Sequence, residues 1–280
     1  MRTFRLIGTT LLMVLYAVSF TACSDDEDEN NTNNNGINPQ KVFVNGIPKQ
    51  VSDMKITQDA SGLVSKIETD NAVAIFKYPT TATRAELANK HIEMKVTRDV
   101  GTQYEETFIF DMTIGDNGFI KHCDETEEDG DLETWDFTYN EEGNLITMKR
   151  SEGGNETTTI TYKNEDIIKT STVSAEEPNV SSVYTIDYTS NAVSTPIENK
   201  GCIMLYDVTL GIDMDEMDFA FYAGLLGKAT KHLPVKSTYE SDSDDKDISN
   251  FTWTFNANGL PTLLSVQSKY SSNEQISFIW

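Results

Sequence analysis

From Lys41 onward the chain alternates apolar and polar side chains in short runs separated by turn-forming residues. Ile92, Met94 and Val96 alternate with polar neighbours from His91 to Arg98, and Phe108, Phe110 and Met112 do the same beyond a turn at Asp99-Val100-Gly101. A period of two marks strands with one buried face. Val42-Phe43-Val44 and Ile47 to Val51 flank Asn45-Gly46, a pair that tolerates the positive φ of a tight turn, so a hairpin is expected there. Pro48 lacks an amide donor and assigns its strand to an edge.

The turns repeat. Ile114-Gly-Asp-Asn-Gly118-Phe-Ile120 resembles Tyr139-Asn-Glu-Glu-Gly143-Asn-Leu145, and the pattern returns in Gln58 to Leu63 and in Phe255 to Leu260. Tyr162 to Ile167 and Tyr188 to Val193 echo it without the glycine. Each unit is a strand, a polar turn and a second strand, as in stacked supersecondary units. The fold expected is mainly β: a long, curved antiparallel meander, open or partly closed into a barrel-like sheet.

One stretch departs from period two. Met214, Met217, Phe221 and Leu225 share a helical face. Asp213 and Glu216 are spaced as a capping box, and Gly227, Lys228, Lys231, His232 and Pro234 supply the stop. One packed helix is therefore expected near 213–227.

The front of the chain reads as an address. Arg2 and Arg5 precede an apolar stretch, Leu6 to Phe20, too short for a comfortable membrane span. Ser19-Phe20-Thr21-Ala22-Cys23 resembles the lipobox of bacterial lipoproteins, which implies that Cys23 is lipidated. Asp25 to Glu29 is an unbroken acidic block. It resembles the signal that sends lipoproteins of Bacteroidota to the outer face of the outer membrane, and it is also a solvated, self-repelling tether. The organisation expected is a signal peptide over 1–22, a lipidated cysteine with an acidic, Asn-rich tether over 23–40, and a single β-rich domain over 41–280. As a coil the tether reaches about 20–25 Å.

The Asn45-Gly46 opening, the Tyr-Asn-x-x-Gly-x-Leu units and Tyr222-Ala-Gly-Leu-Leu-Gly-Lys-Ala-Thr-Lys-His-Leu-Pro234 together resemble a family of Bacteroidota outer-membrane lipoproteins of unknown function. The resemblance covers roughly 41–280. It implies a large, curved, porin-like antiparallel sheet with a helix near its C-terminal end, and it implies no activity.

Charge narrows the partners. Among 280 residues, 45 acidic side chains face 22 basic ones, a formal net charge of −23. Nucleic acid and polybasic docking to an anionic membrane are excluded, because both run on basic surfaces. The membrane partnership expected is through the lipid alone.

Catalytic patterns are broken. Gly224 to Thr230 faintly resembles a phosphate loop, but Tyr222 stands where its first glycine belongs. His91, His122 and His232 have no zinc spacing, and no metal or cofactor is expected. Asp242 to Asp247 starts like an EF loop but has Lys246 in the fifth position, and the Asp124 to Asp131 cluster has no ordered ligand spacing, which leaves at most loose calcium binding. Cys123 and Cys202 are free to pair or to stay reduced. Trp135, Phe137 and Tyr139 share one strand face, as do Phe251, Trp253 and Phe255. These stripes would either stack on a glycan or protein ligand or form the core side of the sheet. Ile276, Phe278 and Trp280 alternate as in the last strand of a transmembrane barrel, but the threonine- and glutamate-rich hairpins assign them to a soluble sheet.

The function expected is a cell-surface binding or interaction module without catalysis. The alternatives are a glycan-processing enzyme, or a structural envelope protein partnered with an outer-membrane protein.

Overall fold

The computed structural model describes residues 41–79, 91–128, 130–240, 246–268 and 274–280. The leader, Cys23, the tether and the Asp242–Asp245 part of the expected EF-like loop lie outside them. In chain order the wall begins with β1 (Gln50–Val51), β2 (Met54–Gln58), β3 (Val64–Glu68) and β4 (Ala72–Lys77). It continues through β5 (His91–Arg98), β6 (Glu106–Ile114), β7 (Ile120–Thr126) and β8 (Leu132–Tyr139). After β9 (Leu145–Arg150) comes a helical turn, α1 (Glu152–Asn155), and then β10 (Glu156–Lys163), β11 (Asp166–Ser174) and β12 (Ser181–Asp187). The chain then leaves the wall for β13 (Ile197–Glu198), α2 (Tyr206–Leu210), α3 (Met217–Tyr222) and β14 (His232–Leu233). It returns as β15 (Lys236–Glu240), β16 (Asp247–Phe255), β17 (Pro261–Ser268) and β18 (Glu274–Ile279).

Among the described residues, sixteen strands close into one antiparallel barrel. Neighbours in sequence are neighbours in the sheet, with two exceptions: β12 pairs with β15 across the long excursion, and β1 pairs with both β2 and β18 to shut the ring. The meander is thus fully closed. The expected β5–β6 hairpin is present, with Ile92 opposite Met112, Met94 opposite Phe110 and Val96 opposite Phe108.

The repeated turns have one geometry and one location. Gly62, Gly118, Gly143 and Gly259 hold φ of 83, 84, 86 and 77°, and each donates its N–H to the carbonyl three residues earlier. Asp59, Asn140 and Asn256 brace the turn by accepting backbone N–H groups at the side chain. A register shift accompanies each turn, as a bulge with one left-handed glycine requires. Without glycine, Asn164 (φ 54°) and Glu165 (φ 68°) take both left-handed positions themselves. All these hairpins lie at one end of the barrel. The Tyr188–Val193 echo is the exception, since after it the chain turns into the lumen instead of starting a neighbouring strand.

The excursion from Tyr188 to Val235 fills the barrel. It hydrogen-bonds the wall from within: the Ile120 amide donates to the Leu225 carbonyl, the Lys228 amide to the Gly143 carbonyl, and the Thr170 hydroxyl to the Leu210 carbonyl. Met214, Met217, Ala220, Phe221, Leu225 and Leu226 are buried against Ile67, Met94, Phe110 and Met112 of the wall. The helix expected near 213–227 is there as Met217–Tyr222, and α2 is a second one. The capping box does not form: Asp213 accepts the Asp215 amide, and Glu216 turns to Arg98 of β5.

Phe43 joins this core, edge-on to Phe221 and stacked on Tyr222. That burial displaces the hairpin expected around Asn45-Gly46. The turn exists, with the Gly46 amide donating to the Phe43 carbonyl, but Val42–Val44 is not a strand and only Gln50–Val51 of the second arm pairs. Pro48 stands just outside that short strand.

The wall is apolar inward and polar outward. Along β5, Ile92, Met94 and Val96 are fully buried while His91 and Lys95 are exposed. Asp111, Lys121, Asp136, Thr159, Thr161, Thr252 and Thr254 likewise face outward. A lipid-spanning barrel has the opposite arrangement, an apolar outer band around a polar lumen.

Candidate functional site

The hairpin end and the opposite end differ in chemistry. At the opposite end lie the turns after β3, β5, β7, β9 and β11. There Arg98 and Arg150 reach from the wall to the lumen segment. Arg98 pairs with Glu216, with its guanidinium 4.8 Å over the Phe108 ring. Arg150 donates to Glu156 at 2.9 Å, to Asp215 at 2.8 Å and to Asp213 at 3.3 Å. These carboxylates hold both guanidiniums above their ordinary values despite burial.

Carboxylates outnumber the arginines at this end. Glu125 is buried and accepts the Trp135 indole N–H at 2.8 Å. Burial, together with the nearby Glu133 and Glu216, pushes its carboxyl up to about 7. Asp218 on α3 keeps part of its surface although protein packs around it. That crowding and the charges of Asp207, Asp213 and Asp215 push it up to about 7 as well. A cavity of about 330 Å³ opens here between Glu106, Phe108, Glu127 and Glu128. Such a surface repels anions.

The hairpin end carries a larger pocket of about 550 Å³, within the size range of small-ligand sites. Three segments build it. The first is Lys41 to Asn45. The second is Glu198 to Cys202, and the third Lys228 to His232, whose strands β13 and β14 pair with each other. Asn45 ties the first segment to the second by donating its side-chain amide to the Lys200 carbonyl at 2.8 Å. The Asn199 side chain fixes the floor: it donates to the Ile203 and Thr230 carbonyls at 2.9 and 3.1 Å and accepts the Ile203 amide. Lys228 is set by its backbone contact with the Gly143 turn. A side chain at Gly227 (φ 85°) would stand 2.9 Å from the Gly143 carbonyl oxygen, so this close approach requires glycine.

The rim is basic. Lys41, Lys200, Lys228 and Lys231 are exposed around the pocket, with His232 beside them. Lys231 pairs with Glu165 at 3.2 Å, Lys200 approaches Glu198 at 3.9 Å, and His232 bonds to Asp166 at 2.7 Å. Among the described residues, Lys41 and Lys228 have no ion pair. The phosphate-loop resemblance in Gly224–Thr230 has no phosphate-loop geometry, because the stretch follows the end of α3 and does not open a helix.

The aromatic stripes lie elsewhere. Trp135, Phe137, Phe251 and Trp253 point into the lumen and are 1, 3, 4 and 8% exposed, so they form the core side of the wall and not an outer stacking surface. Tyr139 faces inward too, donating its hydroxyl to the Ile120 carbonyl. Phe255 is 38% exposed but stands alone at a strand end. The structure does not bring these six together as one platform.

Cys123 is buried in β7 and Cys202 is half-buried at the pocket edge, and both thiols are free. Burial raises both. Each histidine faces an aspartate: His91 with Asp111, His122 with Asp136 and Asp124, and His232 with Asp166. No metal-binding cluster occurs among the described residues.

Sequence reasoning missed the lysine pocket because its members are far apart in the chain and two of them, Lys228 and Lys231, suit a helix stop. Their density within four residues of an acidic chain was the available signal.

The family model that matches the chain, over residues 49–263, is described as a domain of unknown function (DUF4595) with porin-like fold. A porin-like protein from Bacteroides uniformis has a similar structure, with a TM-score of 0.58 at 13% identity, covering 80% of this chain and 88% of that one. A porin-like protein from Bacteroides vulgatus gives 0.53 at 15%, covering 82% and 97%. These likenesses concern the fold. No curated protein matches the chain.

Proposed function

Because the chain belongs to the DUF4595 family of porin-like domains, we propose that it is a lipid-anchored binding module, tethered through Cys23 to the outer membrane, displayed at the cell surface and without catalysis. The observation that carries the binding role is the pocket of about 550 Å³ at the hairpin end. Its floor is locked by Asn199 and its rim is assembled from three distant segments, so it is preorganised on a rigid support. The barrel itself is a scaffold: its lumen holds the chain's own excursion, packed and hydrogen-bonded against the wall. The ligand is a glycan or a protein segment, and nucleic acid is excluded by charge.

The test is a thermal-shift screen of the full-length protein against neutral glycans, acidic glycans and peptides. A ligand at about 100 times its Kd adds about 2.7 kcal/mol, a shift of several degrees. A rise that is lost in Lys200→Glu supports binding at the pocket. A rise that survives this change moves the site elsewhere, and a flat panel removes the small-ligand role. Loss of lipid labelling in Cys23→Ala tests the anchor.

A second reading, a glycan-processing enzyme, is favoured by Glu125 and Asp218, whose carboxyls sit near neutrality as a general acid or base requires. Turnover of a glycan that disappears in Asp218→Asn would select it.

A further inference from the structure

We infer that the pocket at the hairpin end is an anion site whose occupant carries a phosphoryl group. This rests on the binding-module reading above and assigns the chemistry of its ligand. Lys41, Lys200, Lys228 and Lys231 supply four ammonium groups around one cavity, and among the described residues that line it Glu198 is the one acid. In a chain of net charge −23 this is a local reversal of sign. The distant carboxylates act weakly across it at physiological salt, where the screening length is about 8 Å.

The number of cations points to the anion. Lysine binds a phosphoryl group as a point charge that can be approached from several sides, and arginine's fork serves carboxylate and phosphate alike. The described arginines, Arg98 and Arg150, are both committed to acids at the far end. Among the described residues, the lysine ammonium groups at the pocket come from three separate segments. One doubly charged group is served by these cations better than a single carboxylate.

The lysines are also ready to bind. Lys41 and Lys228 have no ion pair to break among the described residues. Lys200 and Lys231 have only exposed pairs, worth little in water. Asp166, behind the floor, is held by the His232 ring and amide at 2.7 and 2.9 Å and does not reach for the lysines.

The same phosphoryl chemistry can come from a soluble sugar phosphate or from a membrane headgroup. Titration calorimetry of the full-length protein with inorganic pyrophosphate and with glucose 1-phosphate tests the soluble source. Flotation with phosphatidylcholine vesicles, with and without phosphatidic acid, tests the headgroup. Expected are binding that weakens steeply as salt is raised, loss on the order of tenfold in Lys200→Gln and in Lys228→Gln, and near-retention in Lys228→Arg. Lys95→Gln, on the outer face of β5, should leave affinity unchanged. Because Lys95, Lys200 and Lys228 are all solvent-exposed, unchanged circular dichroism is expected in every variant. Binding indifferent to the pocket lysines, or no binding by any phosphorylated probe at low salt, overturns the inference. If a neutral glycan or a peptide instead binds and is lost in the same variants, the binding module stands and only the phosphoryl assignment falls.

Discussion

Arg150, at the end of β9, holds Asp215 of the lumen segment at 2.8 Å while its guanidinium lies 5.7 Å over the Trp135 ring. One side chain, itself 9% exposed, thereby joins the wall to the plug and offsets four neighbouring carboxylates. Arg150→Met keeps the stem's packing and leaves those acids facing one another. Its partners are partly solvated, so the cost is below that of a fully buried pair, about 1–3 kcal/mol. A lower urea midpoint at unchanged slope is the expected result, and a variant as stable as the wild type would deny the guanidinium this role.

Glu125 and Asp218 act in the opposite sense. Burial pushes each up to about 7 in the fold, against about 4 for an unfolded carboxyl. Each group therefore binds its proton more tightly folded than unfolded. Its contribution is fully present below pH 4 and is lost as pH rises toward 7. Glu125→Gln and Asp218→Asn should raise the melting temperature at pH 8 by several degrees and change it little at pH 4. The reverse pH dependence in melting curves would contradict the burial argument.

Phe221 is fully buried between Phe43, Tyr206 and Tyr222. Phe221→Ala is expected to cost about 3–5 kcal/mol. Because the plug is the core of the wall, the two should unfold together, with tryptophan fluorescence from the wall and far-ultraviolet dichroism tracing one transition. Two separate transitions would mean that the wall stands without its plug.

The outward polar face and the filled lumen bear on the porin-like architecture. Added to a planar lipid bilayer, the protein should produce no steps of ion conductance. Regular conductance steps, abolished by cross-linking the lumen segment to the wall, would show that the barrel inserts and that its lumen empties.

Period two and the Gly118, Gly143 and Gly259 turns were enough to read an antiparallel meander, because each hairpin is written within a few adjacent residues. Closure was not legible: Gln50 meets Ile279 across nearly the whole chain, and a two-residue strand leaves no periodic trace. The helix face of Met214, Met217, Phe221 and Leu225 was visible, but its place inside the barrel was not, since an apolar stripe packs equally well on either side of a sheet. For the same reason Trp135 and Trp253 could be read as a binding platform until the structure set them in the lumen. The lysine pocket depends on three loops meeting, which only the tertiary fold decides.

The seam at β1 sets an order on the making of this protein. Gln50 and Val51 pair with residues 279 and 278, so the ring cannot shut until Glu274–Ile279 has left the ribosome. Until then the edges of β1 and β17 stay unpaired, and unpaired edges recruit other chains. The folding of nearly the whole barrel precedes its closure, and the risk of misassembly is concentrated in that interval. Such a nascent chain has reason to be escorted until its last strand arrives.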